Sequence, residues 1–114
     1  MPTPKTKSKQ LQGTRAHQSD LDRVQRILRA NLPDLKERYS VTSLGLFGSF
    51  VRGEQNKRSD LDVLVEFERA PSLFVYGELE DHLSDLVGMK VDLVMKKALR
   101  PRIGRQILSE VVSL

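Results

Sequence analysis

The sequence contains no cysteine and no long apolar run. Without cysteine, disulfides and thiolate-ligated metal sites are excluded, and residence in the cytoplasm is the expectation. No apolar stretch approaches the roughly 18–20 residues that a membrane span requires. Residues 1–19 also lack the apolar segment of a signal peptide. At 114 residues the chain has the length of a single domain with a modest core.

The net charge of +4 comes entirely from one end of the chain. Residues 1–18 contain no acid and four basic residues, namely Lys5, Lys7, Lys9 and Arg15. The other 15 of the 19 basic residues lie in residues 19–114, where they balance the 15 acidic residues. The polar composition of residues 1–18 predicts a disordered basic arm, followed by one folded domain over residues 19–114. Binding of nucleic acid or an acidic partner by this arm is one interpretation, and a solvated tail without a role is the simpler one.

Helical spacing begins at Ser19, which can cap a helix. Pro33 is expected to split the segment into a helix that ends near Ala30 and a short second helix over residues 33–38. The apolar positions of this segment are Leu21, Val24, Leu28 and Leu35. A second helix is predicted from Ser72 to about Val87, and a last one opens at Pro101.

Three segments are rich in β-branched and apolar residues and predict strands: 41–47, 60–67 and 90–95. The order of elements along the chain is then helix, strand, turn, strand, helix, strand, helix. This order predicts an α+β or α/β fold in which a small sheet of about three strands carries helices packed on one face.

This strand assignment predicts that three carboxylates can lie on one face of the sheet. Asp60 and Asp62 stand at positions i and i+2 and therefore point to one face of their strand. If the 90–95 strand is a neighbour, Asp92 joins them, and such a cluster repels itself unless a cation neutralises it. Hard oxygen ligands select Mg²⁺ or Mn²⁺, and two such ions can hold both oxygens of a phosphoryl displacement.

A glycine–serine turn precedes these carboxylates. Gly48 allows the backbone to approach an anion closely, and Ser49 adds a hydroxyl donor. Arg52 is the first candidate for neutralising phosphate charge, with Lys57 or Arg58 as weaker candidates. The sequence therefore predicts a site for a metal-bound polyphosphate.

The combined pattern resembles a known family. Gly48-Ser49, ten intervening residues and Asp60-Leu61-Asp62 are similar to the signature of the DNA polymerase β-like nucleotidyltransferase superfamily. Within it, residues 47–53 and 59–65 most resemble the minimal nucleotidyltransferases of the antitoxin type, and residues 91–94 resemble their third-carboxylate strand. The resemblance covers residues 41–95, and Phe50-Val51 replaces the smaller residues that are commoner after the turn.

The resemblance implies a short mixed sheet with helices on one face and a transfer of a nucleoside monophosphate, usually AMP from ATP. It implies two Mg²⁺ ions held by Asp60, Asp62 and Asp92, of which Asp92 also helps to activate the acceptor hydroxyl. Gly48 and Ser49 would bind the triphosphate, assisted by Arg52. The implied partner is a helical HEPN toxin, bound in a hetero-oligomer and silenced by its antitoxin.

Other interpretations stay open at this point. The protein could be a binding module that neutralises its partner by contact alone, with nucleotide binding vestigial. A nucleic-acid role could use residues 1–18 and the basic cluster of Lys96, Lys97, Arg100, Arg102 and Arg105. Only 19 residues follow Met95, so an acceptor pocket is expected to come from another chain.

Overall fold

The fold is built on a four-stranded mixed sheet in the order β3-β2-β1-β4. A computed structural model describes residues 12–56 and 59–114 of the chain. The strands are β1 (Val41–Phe47), β2 (Leu61–Phe67), β3 (Val91–Met95) and β4 (Val112–Ser113). Strand β2 runs parallel to β3, whereas β1 is antiparallel to both β2 and β4.

The three predicted strands are confirmed to within one residue at their ends. The fourth, β4, was not expected, because two residues are too few to show an alternating pattern. It pairs with the outer edge of β1, where Gly45 lies opposite Ser113.

In the described residues, four α-helices and one 3₁₀ turn accompany the sheet. They are α1 (Gln12–Tyr39), α2 (Ser49–Arg52), α3 (Leu73–Val87), the 3₁₀ turn (Lys96–Ala98) and α4 (Pro101–Glu110). The predicted cap of α3 is confirmed, because the Val75 N–H donates to the Ser72 hydroxyl at 3.1 Å. The predicted stop is also confirmed, since Gly88 ends α3 in the left-handed conformation with φ 73°.

Helix α1 corrects two expectations. It is continuous through Pro33, so the predicted split was wrong. Leu28 and Leu35, one on each side of the proline, are both fully buried in the same core, and this packing holds the two halves in one helix. The helix also begins at Gln12, before the expected start at Ser19. Residues 1–11 lie outside the described part of the chain, and the division into a basic arm over residues 1–18 and a folded domain over residues 19–114 stays a prediction.

The core lies between one face of the sheet and helices α1 and α3. Leu61, Val63 and Val65 of β2 point into it and are at most 1% exposed. Leu79 and Leu83 of α3 cover them with no exposed area of their own. The alternation of β2 therefore leaves its other residues on the opposite, more open face.

Within residues 12–56 and 59–114, no helix combines the length and the apolar composition that a membrane crossing requires.

Candidate active site

The turn after β1 is formed by Gly48, whose φ of 84° lies in the left-handed region that side chains disfavour. Its carbonyl accepts hydrogen bonds from the N–H groups of Val51 and Arg52, both at 3.1 Å, and these bonds close the single turn of α2. Gly53 ends that turn with φ 77°. The chain thus reverses tightly between β1 and the loop that leads to β2.

Gly48 also lies directly against Asp62. A Cβ atom added to Gly48 would stand 2.0 Å from Oδ2 of Asp62, which no real side chain can do. The contact arises because Phe47, the residue before Gly48, pairs with Asp62 in the β1–β2 register. The absence of a side chain therefore brings the backbone of the turn into contact with a carboxylate.

Asp62 and Asp92 are register partners on the neighbouring parallel strands β2 and β3. Parallel register partners point to the same face of a sheet, and this face is opposite to the core. The pKa of Asp62 is raised to about 6, first by burial and then by the charges of Asp92 and Asp60, while Arg52 opposes the rise. Ionisation of this carboxylate therefore occurs at a higher pH than for an exposed aspartate, and a nearby cation would favour it.

Asp60 is close enough to this pair for its charge to raise the pKa of Asp62. It precedes β2, its carboxylate lies 3.9 Å from the ammonium of Lys90, and it lines a cleft of about 530 Å³ that Asp20 also lines. Within the described residues, no three His, Asp or Glu side chains are arranged so as to hold a metal ion. The structure thus pairs Asp62 with Asp92 and leaves Asp60 beside them.

The donor set nevertheless fits a hard cation. Asp62 and Asp92 offer only carboxylate oxygens, and the pKa of Asp62 is raised first by burial and then by a repulsion between carboxylates that a divalent ion would relieve. Asp60 is close enough to add to that repulsion. The ligand role of all three aspartates stays a prediction.

Arg52 lies at the turn, as predicted for a phosphate contact, but it already has two acidic partners. Its Nε donates to Glu54 at 2.9 Å, and its Nη1 donates to both carboxylate oxygens of Glu110 at 3.0 and 3.1 Å. These bonds, Glu54 first, raise the pKa of Arg52 above its ordinary value. Ser49 opens α2 beside it, and the weaker candidates Lys57 and Arg58 lie outside the described residues.

Glu110 is a site residue that sequence reasoning missed. Its Oε2 accepts a hydrogen bond from the Gly48 N–H at 2.9 Å, although 62 residues separate the two in sequence. The sequence around it shows only the end of an amphipathic helix. Contact with Gly48 follows from the pairing of β4 with β1, which the sequence did not predict.

Strand β3 is held in place by three side chains of α3 at positions i, i+4 and i+8. The Ser84 hydroxyl accepts from the Val91 N–H at 3.0 Å, and Glu80 accepts from the Leu93 N–H at 2.8 Å. The Tyr76 hydroxyl donates to the Leu93 carbonyl. We call these three residues the α3 ladder. It fixes the backbone on both sides of the carboxylate that β3 contributes.

The predicted basic cluster lies on the 3₁₀ turn, on α4 and between them. Its five side chains are exposed, and Lys96 forms an ion pair with Glu66 at 3.5 Å. A role in nucleic-acid binding stays a prediction.

Known proteins share this architecture. The sequence profile of the nucleotidyltransferase domain family matches residues 28–114. The protein adenylyltransferase MntA of Thermococcus cleftensis is 48% identical over 92 residues, which cover 81% of this chain and 93% of that protein. A solved structure described as a minimal nucleotidyltransferase has a TM-score of 0.67 and 34% identity, and the match covers 86% of this chain and 95% of that one.

A more distant solved structure is a tri-AMPylated HEPN toxin from Shewanella oneidensis in complex with its MNT antitoxin. It matches with a TM-score of 0.53 and 21% identity, over 85% of this chain and 70% of that one, and at this identity it shows the fold alone. The sequence profile and the MntA relative go further than the fold. Together they show that this chain belongs to the nucleotidyltransferase domain family, as a minimal nucleotidyltransferase of the MntA type.

Proposed function

We propose that this protein transfers AMP from ATP to a hydroxyl group on a partner protein, in a reaction that depends on Mg²⁺. The observation that carries the proposal is the pairing of Asp62 with Asp92 next to the Gly48 turn. A carboxylate pair and a backbone anion site in contact are what a metal-bound triphosphate requires.

Each residue would have a definite task. Asp62 and Asp92, joined by Asp60, would hold the divalent ions, which supply charge neutralisation at the phosphates. The Gly48 N–H, the Ser49 hydroxyl and the Arg52 guanidinium would bind phosphate oxygens. Asp92 is exposed on the open face, where it can take the proton of an acceptor hydroxyl.

The bond changes follow from these positions. The acceptor oxygen loses its proton to Asp92 and forms a bond to the α-phosphorus, and the bond from that phosphorus to pyrophosphate breaks. Charge builds on the departing pyrophosphate, where Arg52 and the Gly48 N–H stabilise it. The products are an adenylylated protein and pyrophosphate.

A HEPN-type helical toxin is the partner that we propose, in a hetero-oligomer whose antitoxin is this protein. The support is the naming of the relatives as protein adenylyltransferases and the distant structure that holds an AMPylated HEPN toxin. The test incubates the protein with Mg²⁺ and the neighbouring-gene product, using ATP labelled either at the α- or at the γ-phosphate. Only the α-label should appear on the partner, and Asp62→Asn should abolish its appearance.

One observation favours the alternative that the protein neutralises its partner by contact alone. Among the described residues, Asp60, Asp62 and Asp92 do not form a ready metal site. Under this alternative, no label transfers, and Asp62→Asn neutralises the toxin as well as the unchanged protein does. Label transfer that Asp62→Asn abolishes would reject it.

A further inference from the structure

The phosphate-binding donors of this chain are already engaged by one of its own carboxylates. The Gly48 N–H donates to Oε2 of Glu110 at 2.9 Å, and Nη1 of Arg52 contacts both oxygens of the same carboxylate at 3.0 and 3.1 Å. A carboxylate and a phosphate present the same anionic oxygens to such donors at similar distances. The two anions cannot use the same N–H groups together.

From this contact we infer that Glu110 is a built-in competitor of the nucleotide, whose phosphate must displace the Glu110 carboxylate from Gly48 and Arg52. The inference rests on the proposed function, since it assumes that a triphosphate binds at this turn. It predicts that the glutamate lowers nucleotide affinity even though it lies in the phosphate site.

The charges at the turn agree with this role. Arg52 is the cation that the described contacts place at the turn, and it faces two acids, Glu54 and Glu110. Among the described contacts at the turn, two carboxylates therefore face one guanidinium before any nucleotide arrives, and Asp62 lies behind them. Arg52 can interact fully with a triphosphate only after Glu54 or Glu110 has moved away from it.

The C-terminal segment delivers Glu110 to this position. Residues 112 and 113 form β4 on the edge of β1, and the Leu114 N–H donates to the Leu44 carbonyl at 3.0 Å. Gly45 has no side chain, and this leaves room for Val111, whose Cγ2 would stand 2.6 Å from a Cβ there. The strand fixes the helix end, so the glutamate can leave the turn by a side-chain rotation while β4 stays paired.

An opposite role is also physically reasonable and gives the opposite result. If Glu110 only holds Gly48 and Arg52 in shape, removing it weakens nucleotide binding. If it competes, removing it strengthens binding. The sign of the change separates the two roles.

The experiment measures the affinity for a non-hydrolysable ATP analogue with Mg²⁺ by titration calorimetry. Glu110→Gln keeps the shape of the side chain and removes its charge, and Glu110→Ala removes the carboxylate altogether. We expect a Kd about three- to tenfold lower in both variants, as expected for the loss of a partly exposed charge-assisted contact. Glu54→Gln is the matched control, because it frees Arg52 from its other acid but leaves the Gly48 N–H engaged. Glu54→Gln should lower the Kd by less than Glu110→Gln and Glu110→Ala do.

The amide resonance of Gly48 gives a second measurement that does not depend on affinity. It should move in Glu110→Gln without nucleotide, and in the unchanged protein when the analogue is added. A Kd that is unchanged or higher in Glu110→Gln and Glu110→Ala, or a Gly48 resonance insensitive to Glu110→Gln, overturns the inference and leaves the proposed function standing. Absence of analogue binding in all variants instead removes the proposed function, and the inference with it.

Discussion

Alternate residues of strand β2 lie on two faces of the sheet that differ in burial and in their effect on stability. Leu61, Val63 and Val65 face the helices and are at most 1% exposed, whereas Asp62 faces away from them and is partly exposed. Burial of apolar surface on the first face stabilises the fold. On the second face, burial raises the pKa of a carboxylate to about 6 and so opposes folding at neutral pH. Neighbouring residues therefore have opposite relations to stability.

The largest effect should come from the open face and appear in the rate of AMP transfer. Asp62→Asn and Asp92→Asn remove carboxylates that we place on the metal, and each should lower the rate of AMP transfer at least ~10³-fold, about 4 kcal/mol in the barrier. Transfer of α-label to the partner protein measures it. Circular dichroism should show an unchanged fold. Rates within about tenfold of the unchanged protein would remove both aspartates from the catalytic site.

The next effect concerns the covered face and should appear in stability. Leu61→Ala replaces a fully buried side chain between two of the predicted metal ligands and should cost about 2–5 kcal/mol of unfolding free energy. Urea denaturation measures it. Glu66→Ala on the open face of the same strand is the control and should cost less than about 1 kcal/mol. Equal losses in the two variants would contradict the division between the faces.

A substitution in the turn should affect both stability and nucleotide binding. Gly48→Ala should lose about 2–3 kcal/mol of stability and most of its nucleotide affinity, because its φ is 84° and its Cβ would meet Asp62 at 2.0 Å. Gly88→Ala is the matched control: its φ is 73°, and a Cβ there would meet nothing within 4 Å. It should show the backbone strain alone, about 1 kcal/mol, with nucleotide binding retained. Matching losses of affinity in both variants would argue against contact between the turn and Asp62.

The smallest effect is a gain of stability. The pKa of Asp62 lies near 6 in the metal-free folded state and at 3.8 in the reference state, so the folded state binds the proton more tightly between these values. The stability that Asp62 contributes by binding this proton is therefore present at low pH and is lost as pH rises through about 6. Because Asp62 is only partly buried, Asp62→Asn should gain roughly 1 kcal/mol at pH 7.5 and much less at pH 4.

Melting curves without metal measure this difference, which corresponds to an increase of roughly 4–8 °C in Tm at pH 7.5. Added Mg²⁺ should raise the Tm of the unchanged protein and reduce its deficit relative to Asp62→Asn. A difference that does not vary between pH 4 and pH 7.5 would mean that the charge of Asp62 is not its cause.

Local signals predicted much of the fold and the centre of the site. The strands at 41–47 and 60–67, the Ser72 cap and the Gly88 stop each depend on neighbouring residues, and each is confirmed. Alternation along β2 and β3 also placed Asp62 and Asp92 on one face, as their register now shows.

The rest depends on contacts between distant segments. Pro33 does not break α1, because burial on both sides of it outweighs the lost hydrogen bond. Glu110 reaches Gly48 through β4, a strand of two residues with no pattern to recognise. Asp60 was placed with the other aspartates by strand spacing, and its charge does reach Asp62, but it precedes β2 and also lies 3.9 Å from Lys90, so its ligand role stays a prediction.

The α3 ladder has a consequence for how this sheet can associate with other chains. At the β3 edge, the outward N–H groups of Val91 and Leu93 bond to Ser84 and Glu80, so a visiting strand finds these donors occupied. The other edge is β4, which has only two residues. Enlargement of the sheet by an incoming strand is therefore disfavoured at β3, and the opposite side of the sheet, at β4, is the more favourable place for a partner strand.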